Sequence, residues 1–306
     1  MTDAPHIPVL KEESLSYLPL GPGKRIIDCT FGFGGHTKAM LETGAEVLGL
    51  DLDGVAYDAC RKMAEGAGGL HCCRISFRHM EEALKRNHWD QVDGVLMDLG
   101  VSSWQLDDPA KGFSYRNDGP LDLRFNQDQG RTAADLVNTL EEAELADLIW
   151  RWGEERGSRR IARALVLARK EEPITSTTRL KNIVEGTLPR GVKSTPMLSR
   201  VFQALRIAVN EELEALPEAL SQLSRVIRPG GSFVVISYHS LEDRLVKRYI
   251  DLEKRDCVCP PELPVCRCDH KAHLKPLTKK AVKASKEEEV FNPRSRSARL
   301  RAASIL

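Results

Sequence analysis

The first strand-to-helix transition of the chain lies in "DCTFGFGGHT", residues 28–37. A short apolar run ends at Asp28, glycines follow at positions 32, 34 and 35, and a helical pattern begins at His36. Bare backbone between a buried strand and a helix is typical of loops that approach a nucleotide-like ligand. An ordinary tight turn would also use these glycines, so the loop alone leaves both interpretations open.

Strand and helix patterns alternate around this loop. Buried strands are predicted at 25–30, 46–51, 70–75, 92–100 and 232–237, and helices at 36–44, 54–65 and about 79–88. This alternation predicts an α/β protein with a Rossmann-like parallel sheet covered on both faces. The stretch that starts at Ser297 alternates like an edge strand.

A block of helical periodicity interrupts the α/β pattern between the fourth and fifth strands. Residues 133–206 show helical apolar spacing without a convincing strand, and one long helix is predicted over 194–216. The sequence therefore predicts a discontinuous α/β domain, residues 1–104 and 209–306, with a helical insertion domain at 105–208.

Composition and charge describe an ordinary globular protein with a local basic segment. The 306 residues carry a net charge of +1, but residues 241–306 contain 16 basic and 10 acidic side chains. This segment suggests an anionic partner, although a solvated basic tail is the alternative. No apolar run approaches the ~20 residues of a membrane span, and the N-terminus resembles neither a signal nor a transit peptide, so a cytoplasmic protein is expected.

Two ligand classes compete for the glycine loop. Dinucleotides need a third glycine in G-x-G-x-x-G, and Thr37 stands at that position here. S-adenosylmethionine has no phosphate but carries an ammonium group and ribose hydroxyls. Asp28, at the end of the first strand, would either support the loop or accept from the ammonium, and Asp51, at the end of the second, would bind the ribose hydroxyls. An oxidoreductase that uses NAD is therefore the weaker alternative.

Asp98 ends the predicted fourth strand and is a candidate for chemistry. An exocyclic amine of a nucleobase is a poor nucleophile, and an acceptor on its N–H helps to localise the lone pair. Enzymes that methylate such amines carry an acidic or amide residue at this position. A turn or helix-cap carboxylate is the alternative. The adjoining loop has no cysteine, so attack on a cytosine ring carbon is not supported.

Several longer blocks resemble one known family. The bacterial 16S ribosomal RNA cytosine-1402 N4-methyltransferase family has similar motifs in the same order: "HIPVL" (6–10), "DCTFGFGGHT" (28–37), "DLGVSSWQLDDPAKGFSYRNDGPLDLRF" (98–125), "VFQALRIAVNEEL" (201–213), "RPGGSFVVISYHSLEDRLVK" (228–247) and "NPRSRSARLR" (292–301). The resemblance covers nearly the whole chain, and blocks such as "SYHSLEDR" belong to no generic Rossmann pattern.

This resemblance implies methyl transfer from S-adenosylmethionine to the N4 amine of one cytosine in 16S ribosomal RNA of the small subunit. The implied cofactor-binding residues are Gly34, Gly35, His36, Asp51, Phe77, Asp98 and Gln105, and Asp98 is also the catalytic candidate, with no catalytic metal. Trp104 departs from the family, whose members often have proline there. A ribosome-assembly factor that binds S-adenosylmethionine without catalysis is the alternative.

Three further groups of residues remain open. His239 is either a loop histidine or a residue that faces the target base. Two groups of arginines are candidate RNA contacts or solvated side chains: Arg159, Arg160 and Arg163 in the insertion, and Arg294, Arg296, Arg299 and Arg301 near the C-terminus.

The eight cysteines divide into two sets. Disulfides are not expected in the cytoplasm, so the first set is interpreted as core filling: Cys29, Cys60, Cys72 and Cys73. The second set lies in "CVCPPELPVCRC" and would either bind a structural zinc ion or remain as free thiols: Cys257, Cys259, Cys266 and Cys268. Paired C-x-C is a less typical zinc spacing than C-x-x-C.

Overall fold

The computed structural model describes residues 8–189, 191–260, 263 and 265–306. The chain divides into two compact units. The sheet unit consists of the described parts of Met1–Gly100 and Glu214–Leu306, and the helical unit consists of those of Val101–Leu213.

One seven-stranded sheet forms the centre of the sheet unit. Its strands are β1 (Arg25–Asp28), β2 (Glu46–Asp51), β3 (Leu70–Arg74), β4 (Val92–Asp98), β5 (Ile227–Ser237), β6 (Leu274–Pro276) and β7 (Arg299–Ile305). The order across the sheet is β3-β2-β1-β4-β5-β7-β6; β1 to β5 are parallel, and β7 is antiparallel to both its neighbours. The order reverses between β1 and β4. Open α/β sheets commonly bind ligands at the carboxyl ends of the strands at such a reversal.

The strands carry continuous apolar runs because both faces of the sheet are covered. Each face of the sheet has its own apolar core. Ile26 of β1 and Leu96 of β4 pack into one core, and Ile27 of β1 and Val95 of β4 pack into the other. All four side chains are fully buried. The predicted Rossmann-like α/β fold is confirmed.

Helices of the sheet unit cover the two faces of the sheet, and those of the helical unit enclose a separate core. The sheet unit contains α1 (Lys11–Ser16), α2 (Gly35–Leu41), α3 (Gly54–Gly66), α4 (Met80–Arg86), α12 (Ser240–Glu253) and α13 (Lys286–Phe291). The helical unit contains α5 (Ser103–Asp107), α6 (Ala133–Thr139), α7 (Glu142–Gly153), α8 (Ser158–Glu171), α9 (Thr177–Gly186) and α10 (Thr195–Asn210), and α11 (Glu212–Val226) begins in it. None of the described helices is long and apolar enough to cross a membrane.

Two predictions about elements are corrected. The C-terminal strand β7 is not an edge strand, because the three-residue β6 pairs with its outer side. The predicted helix over 194–216 is two helices, because Glu211 adopts a left-handed conformation (φ 50°) between α10 and α11.

The interpretation of Cys60 and Cys72 as unpaired core cysteines is also wrong. The two residues form a disulfide, with Cα atoms 6.0 Å apart. Packing of α3 against β3 brings their sulfurs together, which the spacing in sequence could not show. Cys29 is buried as a free thiol, as expected, and Cys73 is a half-buried one.

Candidate active site at the carboxyl edge of the sheet

The glycine loop follows β1 and is anchored at its base by Asp28. The buried Asp28 carboxylate accepts hydrogen bonds from the Thr37 hydroxyl (2.7 Å) and the Thr30 backbone N–H (3.2 Å). Burial raises the pKa of Asp28 to about 6, although these two hydrogen bonds oppose the shift. Asp28 therefore ties the loop to the helix that follows it.

Gly34 is required by both conformation and space. Its φ of 74° is one that other residues rarely adopt, and a Cβ there would lie 2.7 Å from Met63 Cε and 2.8 Å from Phe31 Cζ. Gly35 begins α2, and the buried His36 follows with its Nε2 3.1 Å from the Val9 carbonyl oxygen. Packing within the sheet unit therefore explains the glycine at position 34 without any ligand.

Asp51 ends β2 and holds the same loop from the other side. Its Oδ2 accepts from the Gly32 N–H at 2.8 Å, and its Oδ1 accepts from the Asp53 N–H at 2.9 Å. Burial is the main cause that raises its pKa to about 6. A carboxylate offers about four acceptor positions, so Asp51 retains capacity for ligand hydroxyls.

Asp98 ends β4 beside a tyrosine. The Tyr238 hydroxyl donates to Asp98 Oδ1 at 2.7 Å, and His36 Nδ1 lies 3.8 Å from Oδ2. Burial raises the pKa of Asp98 to about 7; the bond from Tyr238 opposes this, and the charges of Asp28 and Glu242 add to it. The Asp98 side chain as a whole is 23% exposed.

Tyr238 was not predicted from the sequence, in which the neighbouring His239 is the candidate of the same block. It follows β5, the neighbour of β4, and its ring lies against Gly100, where an added Cβ would be 3.4 Å from Cδ2. Glu242 accepts from the Tyr238 backbone N–H at 2.9 Å and so fixes the turn that presents the phenol. An aromatic residue at the end of a strand beside β4 is the signal that could have identified it.

His239 has a structural role in this turn. It is the N-cap of α12, where its Nδ1 accepts from the Glu242 N–H at 3.4 Å. The helix begins at Ser240. This geometry favours the interpretation of His239 as a loop histidine.

Phe77 and Gln105 are the remaining predicted cofactor residues. Phe77 begins a single 3-10 turn after β3 and packs, half-buried, against the sheet core. Gln105 is buried in the helical unit, where its Oε1 accepts from the Ser102 N–H (2.9 Å) as part of the cap of α5. The structure thus gathers Gly34, Gly35, His36, Asp51 and Asp98 at the carboxyl ends of three adjacent strands.

The chemistry of this edge selects among ligand classes. Three carboxylates with raised pKa values surround the glycine loop, so an anionic pyrophosphate would meet repulsion there. A ligand with a positive charge and hydroxyl groups would instead be favoured. Fold and site together define a Rossmann-like α/β protein with a cluster of carboxylates at the carboxyl edge of its sheet.

Comparison with known proteins agrees with this class. The profile of the MraW methylase family matches residues 3–306, and the chain belongs to this family. Proteins named ribosomal RNA small subunit methyltransferase H are similar over nearly the whole chain. The one from Thermomicrobium roseum is 47% identical over 97% of this chain and 93% of its own, and the one from Carboxydothermus hydrogenoformans is 44% identical over 98% of each chain.

Solved structures show a weaker similarity. The crystal structure of an rRNA methylase from Streptococcus thermophilus aligns over 97% of this chain and 93% of its own, with 8% identity and a TM-score of 0.43. A score of this size supports no inference, and the family assignment depends on sequence alone.

Proposed function

We propose that this protein transfers a methyl group from S-adenosylmethionine to the N4 amine of cytosine 1402 in 16S ribosomal RNA. Membership of the MraW methylase family supports methyl transfer, and the names of the relatives support small-subunit ribosomal RNA as the substrate. The motifs that resemble the cytosine-1402 N4-methyltransferases support the specific base. The proposed substrate also implies a cytoplasmic location.

The acidic edge of the sheet fits the proposed cofactor. Asp51 would accept from the ribose hydroxyls, Phe77 would flank the adenine, and the glycine loop at Gly34, Gly35 and His36 would contact the amino-acid end. Asp98 and Gln105 would contact the methyl-donor end. Bound there, the cofactor supplies a methyl group made electrophilic by its sulfonium, so the transfer requires no metal ion.

The pairing of Asp98 with Tyr238 is the observation that carries the proposed chemistry. An ionised Asp98 would accept a hydrogen bond from the N4 amine. This bond would localise the lone pair on the N4 nitrogen as the methyl group arrives. A pKa of about 7 suits this task, because the group can accept a proton near neutral pH. Tyr238 holds one carboxylate oxygen and leaves the other for the amine.

The helical unit is proposed to recognise RNA. Arg159, Arg160 and Arg163 are exposed on α8, where they could contact phosphates. Among the C-terminal arginines, Arg301 has a structural role: its Nε lies 2.7 Å from Asp243 Oδ1 and its side chain is only 15% exposed, so it joins β7 to α12. Enzymes that modify a base often flip it out of its stack into a pocket.

The reaction is tested on ribosomal RNA from cells with and without the protein. Mass spectrometry of the nucleosides from a fragment containing position 1402 should show N4-methylated cytidine only when the protein is present. Complementation with the Asp98→Asn variant should restore much less of the mark than complementation with wild type. Free 16S RNA and assembled small subunits from the deletion strain would then be compared as substrates in vitro. Unchanged methylation in the deletion strain would refute the proposal, and cofactor binding without transfer would favour an assembly factor.

Cofactor affinity should depend on pH. The raised pKa values mean that Asp51 and Asp98 are partly protonated in mildly acidic solution, whereas a cationic ligand favours their ionised forms. Affinity for S-adenosylmethionine is therefore expected to fall by about tenfold between about pH 8 and about pH 5.5, with protons released on binding.

Calorimetry in two buffers of different ionisation enthalpy measures both quantities. S-adenosylhomocysteine is the matched control: it keeps the ribose and the ammonium but lacks the sulfonium charge, so its affinity should fall less. A flat pH profile for both ligands would contradict the assigned cation site.

A further inference from the structure

The four clustered cysteines lie in a long connection at the surface of the sheet unit. Residues 254–273 join α12 to β6, and their described part forms neither helix nor strand. Backbone bonds close the base of this loop, from the His273 N–H to Glu253 O (2.8 Å) and from the Leu306 N–H to His273 O (3.0 Å). Connections of this length without secondary structure are uncommon in compact domains and often have a function of their own.

The geometry points to a structural zinc site formed by Cys257, Cys259, Cys266 and Cys268. Their four sulfur atoms all lie within 4.8 Å of one another. The Cys266 and Cys268 sulfurs are 3.5 Å apart, and those of Cys268 and Cys257 are 3.8 Å apart. Zinc–sulfur bonds of about 2.3 Å in a tetrahedron place the sulfurs about 3.8 Å apart, so the cluster already has nearly the dimensions of a tetrathiolate site.

Backbone amides surround the cluster as they do in zinc–cysteine sites. The Val258 N–H donates to Cys268 Sγ (3.4 Å), the Cys259 N–H to Cys257 Sγ (3.4 Å), and the Arg267 N–H to Cys259 Sγ (3.3 Å). Such bonds stabilise negative charge on sulfur and orient the ligand toward a metal. The two C-x-C pairs thus form a four-ligand site from both ends of the loop, despite their less typical spacing.

The site would be structural, because four protein ligands leave no open position for substrate or water. Bound zinc would hold the two ends of the loop together. It would take no part in the chemistry at the carboxyl edge of the sheet. The inference is independent of methyl transfer, and neither proposal fails with the other.

A second group of potential ligands comes from the end of α12 and the last part of the same connection. Glu253, His270 and His273 also bring one ligand atom each within 4.8 Å of the others. The thiolates are favoured as the zinc ligands because there are four of them, and four cysteines form a complete tetrahedral structural site. The histidine group provides an alternative that the experiment must separate.

Elemental analysis of full-length protein, expressed with zinc available and purified without chelators, tests the site. Wild type should contain about one zinc per chain, and the Cys257→Ser/Cys268→Ser variant less than about a tenth of that. The control is Cys73→Ser, which removes a free thiol outside the cluster and should keep the metal. Cobalt bound in place of zinc should show the absorption of a tetrahedral thiolate site in wild type and Cys73→Ser only.

Limited trypsin digestion gives a readout besides metal content. Cleavage at Arg255 and Arg267 should accelerate by about tenfold in the double variant or after chelation, while the core of the sheet unit stays resistant. Metal-free wild type with four reactive thiols, iron in place of zinc, or cysteine–cysteine disulfides in the cluster would overturn the inference. So would zinc that survives in the double variant but is lost from His270→Ala/His273→Ala.

Discussion

Replacement of Asp98 by asparagine is expected to lower the single-turnover rate of methyl transfer by about 10²-fold or more. Asparagine preserves the shape and one acceptor oxygen, which can still receive the bond from Tyr238, but it removes the charge that draws the amine proton. This loss acts mainly in the transition state, so affinities for cofactor and RNA should change much less.

The competing interpretation makes Asp98 only a ligand of the methionine end of the cofactor. In that case cofactor affinity would fall, and the rate would recover when the variant is saturated. Single-turnover assays at increasing cofactor concentration measure the saturated rate of methyl transfer, and calorimetry measures the cofactor affinity separately. A near-normal saturated rate would refute the catalytic role.

The stability of the same variant shows whether it is folded. Because the folded protein holds the Asp98 proton more tightly than the unfolded chain does, this group favours folding at low pH, and the benefit is lost as pH rises toward 7. Wild type at about pH 8 therefore bears the cost of a buried charge that asparagine lacks. Asp98→Asn should melt at a higher temperature than wild type at pH 8, with a smaller difference at pH 5.

Tyr238→Phe tests how Asp98 is positioned. The ring can still pack against Gly100, but the hydrogen bond that lowers the pKa of Asp98 is gone. The rising limb of the pH–rate profile should therefore move to higher pH. A purely structural role for the phenol would lower the rate at every pH without moving the profile.

The sequence predicts the site residues best where their position depends only on the order and direction of the strands. Asp28, Asp51 and Asp98 each end a strand, and parallel strands bring their carboxyl ends to one edge. The resemblance to a methyltransferase family is confirmed as well, because its blocks span the chain. The roles assigned to the individual residues stay predictions.

The features that were missed depend on contacts between distant parts of the chain. Tyr238 meets Asp98 only because β5 lies beside β4 and a turn fixed by Glu242 directs the phenol back. Cys60 and Cys72 pair only once α3 packs on β3. Strand β6 has three residues and ends in proline, so it is too short for any periodic signal, and the sequence alone predicts β7 as the edge strand.

Replacement of Asp51 by alanine is expected to weaken S-adenosylmethionine binding by at least tenfold. Each hydrogen bond from a ribose hydroxyl to a charged acceptor contributes about 1.5–3 kcal/mol, and Asp51 would accept two. Calorimetry at about pH 8, where the carboxylate is ionised, measures the loss. The matched control is Asp53→Ala, which removes the cap that Asp53 Oδ1 provides for the Val55 N–H (3.0 Å) and should leave affinity within about twofold of wild type.

Asp51 also holds the glycine loop through the Gly32 N–H, so a loss of affinity could arise without any contact to ribose. An analogue of the cofactor without the two ribose hydroxyls separates these causes. If Asp51 binds the hydroxyls, wild type should lose affinity for the analogue, and Asp51→Ala should bind the two ligands almost equally. If Asp51 acts only on the loop, both proteins should lose the same factor with the analogue, and the ribose assignment would be wrong.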